Sequence, residues 1–273
     1  MNNNPIGVWD SGIGGLTVLK EIVKILPNES IVYFGDTAHL PYGTKSKQRI
    51  EKLAYYVGNF LIKKKVKVIV VACNTASSYA IELLRKKFKL PIIDVIEPVV
   101  KEAVKKGNRI GVIGTEGTIK SNSYKNFLCK YNNITVISKP CPLFVPIVEE
   151  GWFKFQPEIT YKIVKIYLEI FKTKKIDTLI LGCTHYPLLK PLIKKALNKN
   201  INILDSAKPT AYQLKNILYK HRLNCSVKNN PEYNYYVTDS VEKFVSLAYK
   251  FINKNSKFIP TYKNTEKVFM ENV

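Results

Sequence analysis

Two cysteines stand in matching surroundings. Val68-Ile69-Val70-Val71-Ala72-Cys73-Asn74-Thr75 and Thr178-Leu179-Ile180-Leu181-Gly182-Cys183-Thr184-His185 each read as an apolar strand, a small residue, a cysteine, then polar residues that open a helix. A free thiol has a pKa of about 8.5, and a helix N-terminus favours its thiolate. Taken as a matched pair at the ends of equivalent strands, the two cysteines read as chemical rather than packing residues. His185, two residues beyond Cys183, is positioned as a proton partner or electrostatic neighbour. Cys129, Cys141 and Cys225 lack such a context and read as packing residues, since a free cysteine behaves as a small hydrophobe. No Cys-x-x-Cys occurs, and His39, His185 and His221 have no ligand spacing, so neither a disulfide framework nor a metal site is expected.

Other groups fall where such chemistry needs support. Asp10 follows an apolar strand and leads into Ser11-Gly12-Ile13-Gly14-Gly15, a glycine-rich turn. Gly111, Gly114 and Gly117 form a similar turn around Thr115 and Thr118. Both turns read as carboxylate-sized cradles of backbone N–H groups, with close strand-to-helix packing as the alternative. Neither has the spacing of a dinucleotide or phosphate loop, so no nucleotide cofactor is implied. Glu149 follows the apolar run from Pro142 to Val148; it and Asp10 read as acid/base candidates, or else as helix caps or part of a solvated face.

The elements that must position these groups alternate in type. Short β-rich runs near 6–9, 30–34, 66–72, 92–95, 109–113, 134–138, 178–181, 201–204 and 235–237 are separated by helical periods. The helical periods cover 16–26, 47–64, 77–88, 98–106, 119–131, 157–171, 187–197, 207–219 and 240–251. This pattern predicts an α/β fold of two similar lobes, each a mostly parallel sheet flanked by helices. The lobes are expected to be related by a pseudo-twofold axis, with the site in the cleft between them. Breaks near Glu97-Pro98 and Lys208-Pro209 divide the chain into a first lobe of residues 1–97 plus 208–273 and a second of 98–207. From Asn253 onward the Lys/Asn-rich tail is expected to be partly frayed.

Composition removes several classes. The 273 residues are ample for a large core, and 46% hydrophobic with 23% charged residues are globular proportions. No apolar run approaches the ~20 residues that a membrane helix needs, and no secretory leader pattern opens the chain, so a cytoplasmic protein is expected. The net charge of +22 invites a nucleic-acid reading. Against it, the charge is almost all lysine, spread with asparagine over runs such as Lys63-Lys64-Lys65, Asn198-Lys199-Asn200 and Lys228-Asn229-Asn230. Only Arg49, Arg85, Arg109 and Arg222 offer the bidentate fork of a base reader, so no specific nucleic-acid partner is expected.

Four blocks in order carry a family resemblance: Asp10-Ser11-Gly12-Ile13-Gly14-Gly15-Leu16-Thr17, Tyr33-Phe34-Gly35-Asp36-Thr37-Ala38-His39-Leu40-Pro41-Tyr42-Gly43, Ala72-Cys73-Asn74-Thr75-Ala76-Ser77 and Gly182-Cys183-Thr184-His185-Tyr186-Pro187-Leu188. The chain resembles the glutamate racemases, within the cofactor-independent aspartate/glutamate racemases. The resemblance implies interconversion of L- and D-glutamate without a cofactor, supply of D-glutamate for peptidoglycan, and a homodimer as the default assembly. It implies that Cys73 and Cys183 exchange protons on opposite faces of the substrate, with Asp10, Glu149 and His185 as supporting acid/base residues. Asp10, Ser11, Tyr42, Gly43, Asn74, Thr75, Thr118, Thr184 and His185 would hold the substrate. Aspartate or another small acid is the competing substrate, and a basic nucleic-acid-binding α/β protein is the competing class.

Overall fold

The computed structural model describes residues 1–197, 200–226 and 230–270. Asn198, Lys199, Lys228 and Asn229, part of the Lys/Asn runs above, lie outside the described residues. Among the described residues ten strands are present: β1 Ile6–Asp10, β2 Ile31–Gly35, β3 Val68–Val71, β4 Ile92–Asp94, β5 Arg109–Gly114, β6 Thr135–Pro140, β7 Thr178–Gly182, β8 Asn202–Asp205, β9 Tyr233–Val237 and β10 Thr265–Lys267. The helices are α1 Leu16–Ile25, α2 Lys47–Lys63, α3 Asn74–Lys87, α4 Ile96–Ala103, α5 Glu116–Lys120, α6 Ser123–Leu128, α7 Phe144–Glu150, α8 Trp152–Phe155, α9 Pro157–Thr173, α10 Lys190–Ala196, α11 Ala207–Lys220 and α12 Val241–Phe251. Short 3-10 turns cover Thr37–His39, Tyr42–Thr44 and Tyr186–Leu189.

Two sheets form, ordered β10-β9-β2-β1-β3-β4 and β6-β5-β7-β8, and every pairing in both is parallel. The stretch β2-β1-β3-β4 repeats the order of β6-β5-β7-β8, so the two cysteine-bearing strands, β3 and β7, occupy equivalent places. The internal echo of the sequence is thus an echo of topology. Strands β1, β2, β3 and β7 are buried along their whole length while edge strands β6 and β8 are partly open, the burial expected of a parallel sheet covered by helices. Side chains alternate between faces: Val68, Val70 and Ala72 enter the core shared by both sheets, whereas Ile69, Val71 and Cys73 face a second core under α2 and α3. A third core packs α4 and α6 against β5 and β7.

Local chemistry explains the boundaries. Between β4 and α4, Asp94 Oδ1 accepts from the backbone N–H groups of Ile96 and Glu97, both at 2.8 Å, and so starts the helix. Its other oxygen takes Arg85 at 2.9 Å. A buried Lys67–Glu29 pair at 2.5 Å, with Lys67 also donating to the Asn2 carbonyl, ties the N-terminal segment to the sheet. Three expectations are corrected. The helix expected over 119–131 is two helices, because Asn122 adopts a left-handed φ of 58° and breaks the ladder. The helix expected over 187–197 is a 3-10 turn followed by α10, since Pro191 has no N–H to continue the first. The tail expected to fray contributes β10, which pairs with β9. Among the described residues, no helix is long and apolar enough to cross a membrane.

Candidate active site

Cys73 is the N-cap of α3, with extended backbone (φ −70°, ψ 123°). Its Sγ lies 3.5 Å from Ser11 Oγ. Burial, reinforced by the charge of Asp10, pushes the thiol up to about 12, against the hydrogen bonds of Ser11 and the Ala76 N–H. The helix terminus acts in the anticipated direction but is outweighed by desolvation, which disfavours any buried anion. In its resting state Cys73 is therefore a thiol.

Cys183 follows β7 directly, and the helical turn after it is the four-residue 3-10 segment rather than an α-helix. What it has instead is a histidine relay. Cys183 Sγ and His185 Nδ1 are 3.9 Å apart, and His185 Nε2 is 3.0 Å from Glu149 Oε1. Burial opposes the imidazolium, but the hydrogen bonds and charges of Cys183 and Glu149 prevail and raise His185 to about 10. Glu149, on the last turn of α7, is also desolvated; His185, Lys243 and Lys250 nevertheless hold its carboxyl below the usual value. Lys250 of α12 donates to the Glu149 carbonyl, and the Phe251 ring meets His185 edge-on with centroids 5.6 Å apart. The relay is thus clasped by α12, the helix that follows β9 of the six-stranded sheet.

Asp10 is fully buried, and burial raises its carboxyl despite the nearby His185. It accepts from the N–H of Gly12 at 3.0 Å and is also bonded by the N–H of Gly15. This corrects the first cradle, whose donors hold the protein's own carboxylate. In the second turn the Thr118 N–H donates to Thr115 Oγ1 as a helix cap at 3.3 Å. Gly14 has a separate reason to be glycine: a Cβ there would lie 2.3 Å from Thr184 Oγ1 and 2.5 Å from His185 Nδ1. The first turn and the Cys183 turn are therefore in direct backbone-to-side-chain contact.

Both cysteines line one narrow cavity of about 30 Å³. Ser11, Tyr42, Gly43, Asn74 and Thr75 border it from one half, Thr184 and His185 from the other. Glu149 instead borders an adjoining outer cavity of about 340 Å³ that shares Leu40, Pro41, Gly43, Thr115 and Val145 with the inner one. Asp10 and Thr118 stand behind the lining: Thr184 Oγ1 donates to Asp10 at 3.5 Å, and Thr118 joins Thr75 and Thr115 in a triangle of hydroxyls 2.9–3.1 Å apart. Tyr42 is held by its hydroxyl, which donates to the buried Asp36 at 2.6 Å. A surface groove of about 780 Å³ between α4 and α11 is far larger than this cavity and contains neither cysteine, so size alone does not mark the site. Among the described residues no cluster of three His, Cys, Asp or Glu side chains is arranged for a metal.

Sequence reasoning did not single out Thr115, Leu40, Pro41 and Val145 as lining residues. Thr115 lies in the second glycine turn and Leu40-Pro41 within a motif block, so those signals existed; nothing around Val145 distinguished it from core.

Comparison with known proteins is consistent along the chain. A sequence model of the Asp/Glu/Hydantoin racemase family matches residues 6–214. The chain is 42% identical over 250 residues to a glutamate racemase of Geobacter metallireducens, covering 90% of this chain and 92% of that one. It is 53% identical over 215 residues to a glutamate racemase of Aquifex aeolicus, covering 78% and 83%. Its structure is similar to that of glutamate racemase from Francisella tularensis in complex with D-glutamate, with a TM-score of 0.89, 43% identity and 98% of each chain covered. On this agreement of sequence and fold, the chain belongs to the Asp/Glu/hydantoin racemase family.

Proposed function

We propose that this protein is a glutamate racemase that interconverts L- and D-glutamate through Cys73 and Cys183. The observation that carries the reading is the single cavity bordered by two cysteines with unlike proton partners. In one direction the Cys183 thiolate, held beside the His185 imidazolium, takes the α-proton and leaves the electron pair on the substrate as a carbanion delocalised into its carboxylate. The Cys73 thiol then delivers its proton to the opposite face and becomes the thiolate. The reverse direction starts from the opposite protonation state.

Proton transfer by positioned groups contributes about 10² to 10⁴ in rate, which is too little for so weak a carbon acid. The remainder is assigned to donors fixed where charge develops, in a site closed to water. Asn74, Thr75, Thr184 and Ser11 are the polar groups so placed. A cavity of about 30 Å³ holds roughly two waters, so the reading requires the lobes to part for substrate exchange. The lobes are taken as residues 1–97 plus 208–273 and 98–207, matching the membership of the two sheets. The assigned role is cytoplasmic supply of D-glutamate for peptidoglycan.

Glutamate is preferred to aspartate because relatives at 42–53% identity are glutamate racemases. Incubation of the purified protein with L-glutamate or L-aspartate, without added cofactor and with chiral detection of product, tests this; turnover of aspartate alone overturns it. Cys73→Ser and Cys183→Ser are each expected to abolish racemisation nearly completely. Each should still exchange the α-proton of one enantiomer with solvent deuterium far faster than that of the other. Equal damage to exchange from both enantiomers would sink the assignment of faces.

A further inference from the structure

Asn74 has an oriented amide. It is the first residue of α3, borders the inner cavity, and is 2% exposed. Its Oδ1 accepts a hydrogen bond of 2.7 Å from the hydroxyl of Tyr124, on α6, which packs against the four-stranded sheet. Its Nδ2 is buried with no protein partner. An amide whose oxygen is already engaged offers its NH₂ to whatever enters the cavity, and a buried NH₂ without an acceptor is costly because it has given up water for nothing. That cost is recovered when an anionic oxygen arrives.

We propose that Tyr124 is a positioning residue for substrate binding: it reaches across the cleft and fixes Asn74 with Nδ2 turned toward a substrate carboxylate. The inference rests on the glutamate reading for the identity of that carboxylate. Tyr124 is suited to the task. It is 2% exposed, and burial keeps its hydroxyl protonated and available as a donor. Its ring packs where a side chain at Gly182 would stand, since a Cβ there would be 3.0 Å from Cε2. The same side chain thus touches the backbone just before Cys183 and the amide just after Cys73. Because donor and acceptor belong to helices packed on different sheets, Asn74 is fully oriented only when the two are together.

Tyr124→Phe keeps the ring packing and removes the one hydroxyl. With a net hydrogen-bond contribution of 0.5–1.5 kcal/mol, KM for both enantiomers of glutamate should rise about 2- to 12-fold, with kcat changed less. In an Asn74→Ala background the same substitution should change KM less than about 2-fold, because its target is gone. An equal loss in both backgrounds, or a native KM in Tyr124→Phe, overturns the proposal. A readout without turnover separates this from failure of the glutamate reading. In ¹⁵N-resolved spectra the Asn74 side-chain amide signals should shift in Tyr124→Phe while the Thr75 backbone signal holds, and unmoved side-chain signals refute the orienting role. Absence of glutamate racemisation by the unsubstituted protein would instead count against the substrate assignment.

Discussion

Replacing Glu149 with glutamine preserves the side chain's shape and removes its charge. Glu149 Oε1 is 3.0 Å from His185 Nε2 and is one of the two partners that raise the imidazole to about 10. A hydrogen bond to a charged group is worth roughly 1.5–3 kcal/mol. At about 1.36 kcal/mol per pKa unit this converts to about 1–2 units, placing His185 at about 8–9 in the variant. At pH 8 roughly one native imidazole in 100 is neutral; in Glu149→Gln about a tenth to a half would be. Since the imidazolium holds the Cys183 thiolate in the proposed reaction, the alkaline limb of kcat/KM should move down by about 1–2 pH units.

The assay is racemisation followed by circular dichroism across pH, beside an NMR titration of the imidazoles with His185 assigned through His185→Asn. Enantiomers have equal free energy in water, so kcat/KM must be the same from L- and D-glutamate in every variant, and the limb must move identically from either side. A limb that stays put while the His185 signal moves refutes the link between imidazolium and chemistry. Stability supplies a second readout with a defined sign. A histidine raised from about 6.5 to about 10 stabilises the folded state fully below pH 6.5 and loses that contribution as pH rises toward 10. The slope is about 1.4 kcal/mol per pH unit, and Glu149→Gln should shorten the window from its alkaline end.

Two further substitutions probe how the halves meet. At Gly43 an added Cβ would lie 2.6 Å from Thr115 Cβ, so Gly43→Ala should hold the halves apart and lower kcat/KM about tenfold or more, at an overpacking cost of about 1–3 kcal/mol; a native rate would refute the closed contact. Asp36 accepts from Tyr42 at 2.6 Å, His39 at 2.8 Å and Thr238 at 2.7 Å, so Asp36→Asn should loosen the segment carrying Tyr42 and Gly43. A KM increase of several-fold, with about 1–3 kcal/mol lost in urea unfolding, is expected, and unchanged kinetics would show that the segment is held by other contacts.

The strands were legible because buried parallel strands are continuous apolar runs, as in Val68–Val71 and Thr178–Gly182. The cysteines were legible because the fold repeats, and a repeated context is information that a lone thiol lacks. What escaped was set by single backbone decisions or by contacts distant in sequence. Asn122 breaks a helix that its neighbours would continue, a choice its side chain permits but does not announce. Strand β10 has exposed Glu266 and Lys267 and becomes a strand only because β9 offers an edge. Tyr124 looks like any core aromatic; its hydroxyl matters because folding brings it to a residue 50 positions away. The thiol of Cys73 was misread for a related reason: a helix N-terminus is visible in sequence, whereas complete burial beside Asp10 is not.

The repeated topology gives the two cysteines equivalent places but not equivalent chemistry. Cys73 caps a 14-residue α-helix and is kept protonated by burial and Asp10, whereas Cys183 precedes a four-residue 3-10 turn and adjoins a cationic histidine clasped by Glu149. A reaction between mirror images does not require a symmetric catalyst, because the equality of forward and reverse kcat/KM is imposed by the substrates alone. What it requires is one proton fewer than the two thiols can hold, with the vacancy on one cysteine for one enantiomer and on the other cysteine for its mirror image. The duplicated strands supply opposed positions. The unlike residues that follow each strand give the two thiols different proton partners, Ser11 at Cys73 and the His185–Glu149 pair at Cys183.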